Sequence, residues 1–166
     1  QVLGRNLRGN IDGVSRDALM LAGIAQGKAL PQAPSAPVRE QAENDLAELF
    51  ETLTRVHPEY MQIRLISAAG HGLEQVRVDR DGEQPVRIPY PGLQEKGHFD
   101  YVFDTLRLPP GQVRLSPIVI NHELGTHSGV GRPTLHVSTP VAGADGQPSA
   151  LIVINIDLNQ LFDQLR

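Results

Sequence analysis

The hydrophobic period changes near residue 60, and this change limits the architectures that the chain can adopt. Before it, apolar residues recur at steps of three and four, the spacing typical of amphipathic helices. After it, residues 60–67 and 73–80 alternate between apolar and polar, as half-buried strands do. Helices followed by hairpin-linked strands predict an α+β domain, with an antiparallel sheet that packs against helix on one face.

The first 58 residues contain two predicted helices. An apolar stripe runs along the first, and its members are Val2, Leu3, Leu7, Ile11, Val14, Ala18, Leu21 and Ala25. Three prolines between residues 31 and 37 interrupt the pattern, because proline lacks the amide proton and disfavours helix before it. The second helix is expected to begin at Ser35 or Pro37 and to end at Pro58. The stripe fits either core packing against the sheet or a seam between two parallel copies.

The remaining strand candidates follow a short helix. Residues 93–108 are expected to form a loop and a short helix that turns four apolar side chains inward: Phe99, Val102, Phe103 and Leu106. Further strand-like runs occupy residues 112–121, 133–141 and 150–157, whereas residues 86–89 are too short and proline-flanked for a central strand.

A last helix follows the strands. Asp157 can cap it, and Leu158, Leu161, Phe162 and Leu165 are its apolar residues. We therefore predict one domain over residues 1–166, with a helical lead-in (1–58), a sheet core (59–157) and an exit helix (158–166). A chain that begins and ends in helical pattern is also expected to be a fragment of a longer protein.

Composition excludes several functions. The formal net charge is −4 and there is no basic cluster, which argues against nucleic-acid binding. The chain has no cysteine, so thiolate metal sites, disulfides and cysteine nucleophiles are impossible. His122 and His127 lie five residues apart, whereas a helical zinc motif needs a spacing of four. No nucleophile, base and orienting group occur together at a readable spacing, so we predict neither catalysis nor a metal or other cofactor.

From residue 60 onward the sequence resembles the PDC or Cache sensors, which are PAS-like domains of bacterial histidine kinases, diguanylate cyclases and chemoreceptors. The resemblance lies in the order and spacing of several segments: Tyr60-Met-Gln-Ile-Arg64, Ser67-Ala-Ala-Gly70, Glu74-Gln-Val-Arg-Val-Asp79, Lys96-Gly-His-Phe-Asp-Tyr101, and residues 116–125, 132–141 and 146–157. The sequence differs from the amino-acid-binding pattern of that family, because Leu65, Ile66 and Ser67 follow Arg64 where aromatic residues are usual.

The resemblance implies a fold and a cellular context. The fold is a single PAS-like module, a five-stranded antiparallel sheet with a long N-terminal helix packed on one face. The domain would be the extracytoplasmic, periplasmic part of an inner-membrane receptor that is anchored by flanking helices outside this sequence. It would bind a small molecule on one sheet face and pass the signal through its terminal helices to a kinase or cyclase domain, with homodimerisation through the N-terminal helix.

The strand alternation places the predicted binding residues. Polar side chains that share strand faces, together with two from the short helix region, could line a ligand site: Arg64, Arg77, His98, Tyr101, Arg114, Ser116, His136 and Asn155. Guanidinium groups suit a carboxylate, because their planar fork donates two parallel hydrogen bonds. The same arginines could equally be solvated or ion-paired residues of an exposed face.

Two rival functions remain open from the sequence. The domain could be a structural module that dimerises its receptor and binds no small molecule. It could also be a cytosolic PAS domain that holds haem through a histidine, which an absorbance scan near ~400 nm would reveal.

Overall fold

A computed structural model describes residues 2–116, 119–120 and 133–165, and the chain folds into helices packed on an antiparallel sheet. The helices are α1 (Val2–Gly27), α2 (Ala36–Val56), α3 (Asp100–Leu106) and α4 (Leu158–Asp163). The strands are β1 (Tyr60–Ser67), β2 (Glu74–Asp81), β3 (Gln84–Arg87), β4 (Arg114–Leu115), β5 (Val119–Ile120), β6 (Pro133–Ala142) and β7 (Pro148–Asp157). No helix among the described residues is both long and apolar enough to cross a bilayer.

The apolar stripe of α1 packs against the sheet. Its buried members are Val14, Ala18, Leu21 and Ala25, and Leu7 and Ile11 lie partly buried against the same core. The helix contacts β6 and β7, whereas α2 contacts β1, β2 and β3. Core packing therefore explains this part of the stripe, and a seam between two copies stays a prediction.

Ser35 is the N-cap of α2 and is the first of the two helix starts, Ser35 and Pro37, that the sequence predicts. Its hydroxyl accepts a hydrogen bond from the Val38 amide (3.4 Å), which satisfies one of the amides that a helix start leaves without an internal partner. The helix ends at His57, whose amide donates to the Leu53 carbonyl.

We expect Ser35→Ala to lower the free energy of unfolding by about 1 kcal/mol, because the cap acceptor is lost. Ser35→Gly should cost only a few tenths of a kcal/mol, since water can reach the exposed amides. Urea denaturation of both variants checks this, and equal losses for alanine and glycine would contradict it.

The sheet has the strand order β3-β2-β1-β7-β6-β4, with every pair antiparallel, and β5 pairs with β6 as well. Two helices on one sheet face confirm the predicted α+β, PAS-like fold. The structure adds β3 as an edge strand beyond the five predicted. Within the predicted strand over residues 112–121, the described residues include two short strands, β4 and β5. Residues 117–118 and 121 lie outside the described part.

Strand alternation gives the sheet two different faces. The back face turns apolar side chains toward α1 and α2, and these include Ile63, Leu65, Val76, Val78, Val137, Ile152, Ile154 and Ile156. The front face carries polar side chains beside a smaller apolar cluster formed by Ile66, Tyr101, Val102, Leu151 and Val153. The front face is covered by α3 and by the segment that leads to it.

The prediction that Phe103 points inward is wrong. Phe103 is 51% exposed, whereas Val102 is buried and Phe99 and Leu106 pack partly buried against the front cluster. The reason is helical geometry: Tyr101, Val102 and Thr105 define the buried side of α3, and at 100° per residue Phe103 falls on the other side.

Candidate functional site

A network of buried polar side chains covers the front face of the sheet. Its charged members are Arg64, Glu74, Arg77 and Asp79, each with at most 1% of its surface exposed. Charges in such a place must be paired, because the loss of water around each ion costs several kcal/mol. We call this set, together with Gln62, Tyr101, His136 and Asn155, the front network.

Arg77 is held by two carboxylates. Its Nε and Nη2 donate to the two oxygens of Asp79 (2.9 and 2.8 Å), which is the bidentate geometry that suits a guanidinium. Its Nη1 donates to Glu74 Oε1 (3.1 Å). Burial alone would lower the pKa of Arg77, but the hydrogen bonds and charge of Asp79, with the charge of Glu74, outweigh it and raise this pKa.

Arg64 joins the sheet to its cover. Its Nη2 donates to Asn155 Oδ1 (3.0 Å) on β7, and its Nη1 donates to the Tyr101 hydroxyl (2.6 Å) on α3. The same Nη1 lies 3.5 Å from Glu74 Oε2. Arg64 also lies directly opposite Arg77 across the β1–β2 pair. Two like charges at that position would repel, and the carboxylate of Glu74, which contacts both, offsets this repulsion.

A bulge in β2 brings Glu74 to the front face. Leu65 pairs with Val76 and Ile66 pairs with Glu74, so Gln75 is an extra residue on β2. Strict alternation along residues 73–80 predicts that Gln75 shares a face with Arg77, and the bulge makes this prediction wrong. The side-chain amide of Gln75 instead donates a hydrogen bond to the Pro31 carbonyl in the α1–α2 connection (3.2 Å).

The cover continues the network with side chains of α3. The Tyr101 ring lies 4.6 Å from the His136 ring in an edge-on arrangement. Thr105 forms a hydrogen bond with Ser138 across the same gap (2.7 Å between hydroxyl oxygens). Three elements, β1, α3 and β6, therefore meet at Arg64, Tyr101 and His136.

Two glycines fix the segment before α3 against the β1–β2 turn. Gly72 has φ +73°, and a Cβ there would lie 2.6 Å from the Gly97 nitrogen. A Cβ on Gly97 would lie 2.4 Å from the His71 carbonyl oxygen. The backbones also exchange hydrogen bonds, from Lys96 to Gly72 (2.8 Å) and from Gly97 to His71 (2.8 Å). This close approach determines where Lys96 and α3 lie.

The structure brings together five of the eight predicted site residues: Arg64, Arg77, Tyr101, His136 and Asn155. Ser116 is adjacent, because its hydroxyl accepts from the His136 amide (2.9 Å). Arg114 lies to one side and pairs with Asp104 of α3 (3.2 Å). His98 is exposed on the surface, with its ring 4.2 Å from that of Phe99.

Sequence reasoning missed the acidic half of the network. From the sequence, the turn at Asp81-Gly82 is enough to explain the carboxylates of Asp79 and Asp81, but Asp79 lies within β2 and is 1% exposed. Asp79 lies two residues after Arg77 on an alternating strand, which indicates that the two side chains share a face. Lys96 was also missed: it is 2% exposed, and its Nζ lies 4.9 Å from the centre of the Phe99 ring. The histidine pair at 122 and 127 lies outside the described residues.

The helices packed on the antiparallel sheet define a PAS-like fold. In the comparison with protein-family models, residues 24–166 match the family described as bacterial histidine kinase, sensor domain. The chain therefore belongs to the family of bacterial histidine kinase sensor domains. No curated protein matches the sequence.

Solved structures share this fold at low sequence identity. The extracellular domain of the histidine kinase vpHK1S-Z8 has a TM-score of 0.80 at 20% identity, over 98% of this chain and 56% of that one. A domain of a sensory box/GGDEF family protein from Vibrio parahaemolyticus has a TM-score of 0.79 at 18% identity, over 98% and 59%. The ligand-binding domain of the Pseudomonas aeruginosa amino acid chemoreceptor PctC, in complex with GABA, has a TM-score of 0.60 at 16% identity, over 99% and 63%. The chain thus spans less than two thirds of each.

Proposed function

We propose that this sensor domain binds a small anionic molecule, such as a carboxylate, beside Arg64 on the front face. The observation that carries the proposal is the convergence of Arg64, Tyr101 and His136 from three elements. A ligand that contacts all three would change how α3 sits on the sheet. It would shift the balance between two arrangements of the domain by the difference in its affinity for them.

Buried cations of this region could bind an anion. Arg64, Arg77 and Lys96 are each at most 2% exposed. Buried ion pairs rarely stabilise a fold more than apolar side chains of similar volume do. The presence of this network therefore supports a binding role over a purely structural one. The GABA in the complex of PctC carries a carboxylate as well.

We further propose the cellular context. The domain would lie outside the cytoplasm, in a receptor anchored in the inner membrane by helices that flank this sequence. Its output domain would be a histidine kinase or a diguanylate cyclase. A parallel pair of α1 helices is the proposed route to a homodimer, and the alternative role is a dimerisation module without a ligand.

Thermal unfolding of the purified chain with a library of small carboxylates tests the ligand site. A ligand at about 100 times its Kd stabilises the folded state by about 2.7 kcal/mol, which raises Tm by roughly 5–10 °C for a chain of this size. We expect Arg64→Lys and Tyr101→Phe each to weaken that ligand about tenfold or more, because each removes a directional hydrogen bond.

Tyr90→Phe is the matched control for the tyrosine, because Tyr90 is 77% exposed and lies outside the front network. Its Tm shift should equal that of the wild type. Shifts that survive unchanged in both Arg64→Lys and an Arg77→Lys variant would remove the front face as the binding site and favour the dimerisation module.

A further inference from the structure

A second polar cluster joins the entry helix α1 to the exit helix α4. Asp17 lies on α1, His57 is the C-cap of α2, and Gln164 is the C-cap of α4. Glu59 lies in the turn before β1, and Tyr60 is the first residue of that strand. We call these five residues the helix clasp. None of them belongs to the front network.

His57 is the centre of the helix clasp. Its Nε2 lies 3.4 Å from Asp17 Oδ2, and its Nδ1 lies 3.1 Å from Glu59 Oε1. The other carboxylate oxygen of Glu59 accepts a hydrogen bond from the side-chain amide of Gln164 (2.8 Å). A continuous series of contacts therefore runs from α1 through His57 and Glu59 to α4. Both imidazole nitrogens face carboxylates, and a protonated ring suits this arrangement because it donates from both nitrogens.

Other groups hold the clasp in place. The Tyr60 hydroxyl donates to Asp17 Oδ2 (2.5 Å), and the Tyr60 ring stacks on His57 with centroids 4.4 Å apart. Arg80 of β2 is the cation that faces the clasp: it donates to the Tyr60 carbonyl (3.0 Å) and, through Nη2, to the carbonyls of Thr54 and His57. The Glu59 carbonyl also accepts from the Asp157 amide at the start of α4 (2.9 Å).

These surroundings set the direction of each titration. The hydrogen bond with Glu59 raises the pKa of His57 above 6.5, against the opposing effect of burial, and the charges of Glu59 and Asp17 add to it. Burial opposes ionisation of Glu59, but its hydrogen bonds with His57 and Gln164 lower its pKa. The charged form of each is therefore favoured by the other.

We propose that the helix clasp is a proton-sensing site, in which protonation of His57 stabilises one placement of α1 relative to α4. The domain would then respond to external acidity at a place separate from the anion site. This inference rests on the proposed role of the terminal helices as signal carriers. It assigns them a second input that requires no ligand.

The pH window follows from the directions of the shifts. The stabilisation from His57 is complete below its unfolded pKa of about 6.5 and is lost as pH rises through the raised folded value. The contribution of Glu59 is present above about 4.5 and is lost as pH falls through its lowered value. The clasp is therefore strongest near pH 5–6 and weakest in mildly alkaline solution.

Thermal unfolding of the ligand-free chain at pH 5.5 and pH 8.5 is the first test. We expect the Tm difference between wild type and His57→Gln to be at least about twofold larger at the lower pH. His71→Asn is the matched control, because His71 is exposed and its φ of 57° is one that asparagine tolerates. Its Tm difference from wild type should be equal at both pH values. A pH-independent difference for His57→Gln would overturn the proposal.

A distance measurement distinguishes a pH-dependent change in the placement of α1 and α4 from a pH-dependent change in stability alone. The chain has no cysteine, so Arg16→Cys on α1 and Asn159→Cys on α4, both exposed, take spin labels without side reactions. We expect the label–label distance distribution to change between pH 5.5 and 8.5 with His57 present and to stay constant with His57→Gln. An unchanged distance distribution in the wild type, or the same change in both proteins, would overturn the proposal. Failure of the anion site would leave both experiments unaffected, because neither contains a ligand.

Discussion

Arg77→Met is expected to lower the free energy of unfolding by about 3–5 kcal/mol. Methionine fills much of the volume of arginine, so the loss comes from charge and not from a large cavity. Asp79 would lose its bidentate partner and Glu74 one of its two arginines, in a place where neither carboxylate reaches water. Removing one member of a buried ion pair costs this much because the other charge stays buried without compensation. Urea denaturation at neutral pH measures the loss.

Arg55→Met provides the control for this substitution. Arg55 is also paired, with Glu51 at 3.8 Å, but its side chain is 56% exposed. Water solvates the Glu51 carboxylate that is left after the change, so we expect the stability to move by no more than about 0.5 kcal/mol. A loss below about 1 kcal/mol for Arg77→Met would show that the front network is hydrated in solution.

Phe50→Ala should cost about 3–5 kcal/mol, through loss of apolar burial and the cavity that remains. Phe50 lies on the inner face of α2, is fully buried, and belongs to the core between the helices and the sheet. Equilibrium unfolding in urea measures the change, and the slope with denaturant should be unaltered if the domain still unfolds as one unit.

Phe103→Ala makes the same chemical change at an exposed ring. Phe103 is 51% exposed, and its face contacts the Arg107 guanidinium at 3.9 Å. An exposed cation–π contact is worth about 0.5–1 kcal/mol, so the loss should stay near or below 1 kcal/mol. Comparable losses at Phe50 and Phe103 would mean that α3 buries the face predicted from the sequence and not the one seen in the structure.

The front network shows which features of a site can be predicted from the sequence and which cannot. Alternation along β1 correctly predicted that Arg64 points away from the apolar face, and a resemblance to PDC and Cache sensors supplied the fold. The partner of that arginine was not predicted, because Glu74 reaches the front face only through the bulge at Gln75. A one-residue insertion reverses every side-chain assignment beyond it, and no period-two pattern records where it falls.

The helix clasp was beyond sequence reasoning for a different reason. His57 lies near Glu59 in the chain, but its other carboxylate partner, Asp17, is 40 residues earlier. Gln164 reaches Glu59 from 105 residues later. Contacts of this kind depend on how whole helices pack on the sheet, and local spacing carries no information about that.

The sequence by itself determined the positions of α1, α2, α4, β1, β2, β6 and β7, the cap at Asp157, and which residues of β1 share a face. These properties follow from short-range backbone geometry, from proline and capping chemistry, and from the fixed periods of helix and strand. Only the tertiary structure decided that the arginines are buried and paired, that α3 covers them, and that His57 connects the two terminal helices. Burial and ion pairing depend on register, on the β2 bulge and on the contact between Gly72 and Gly97, which bring together residues that are distant in the chain.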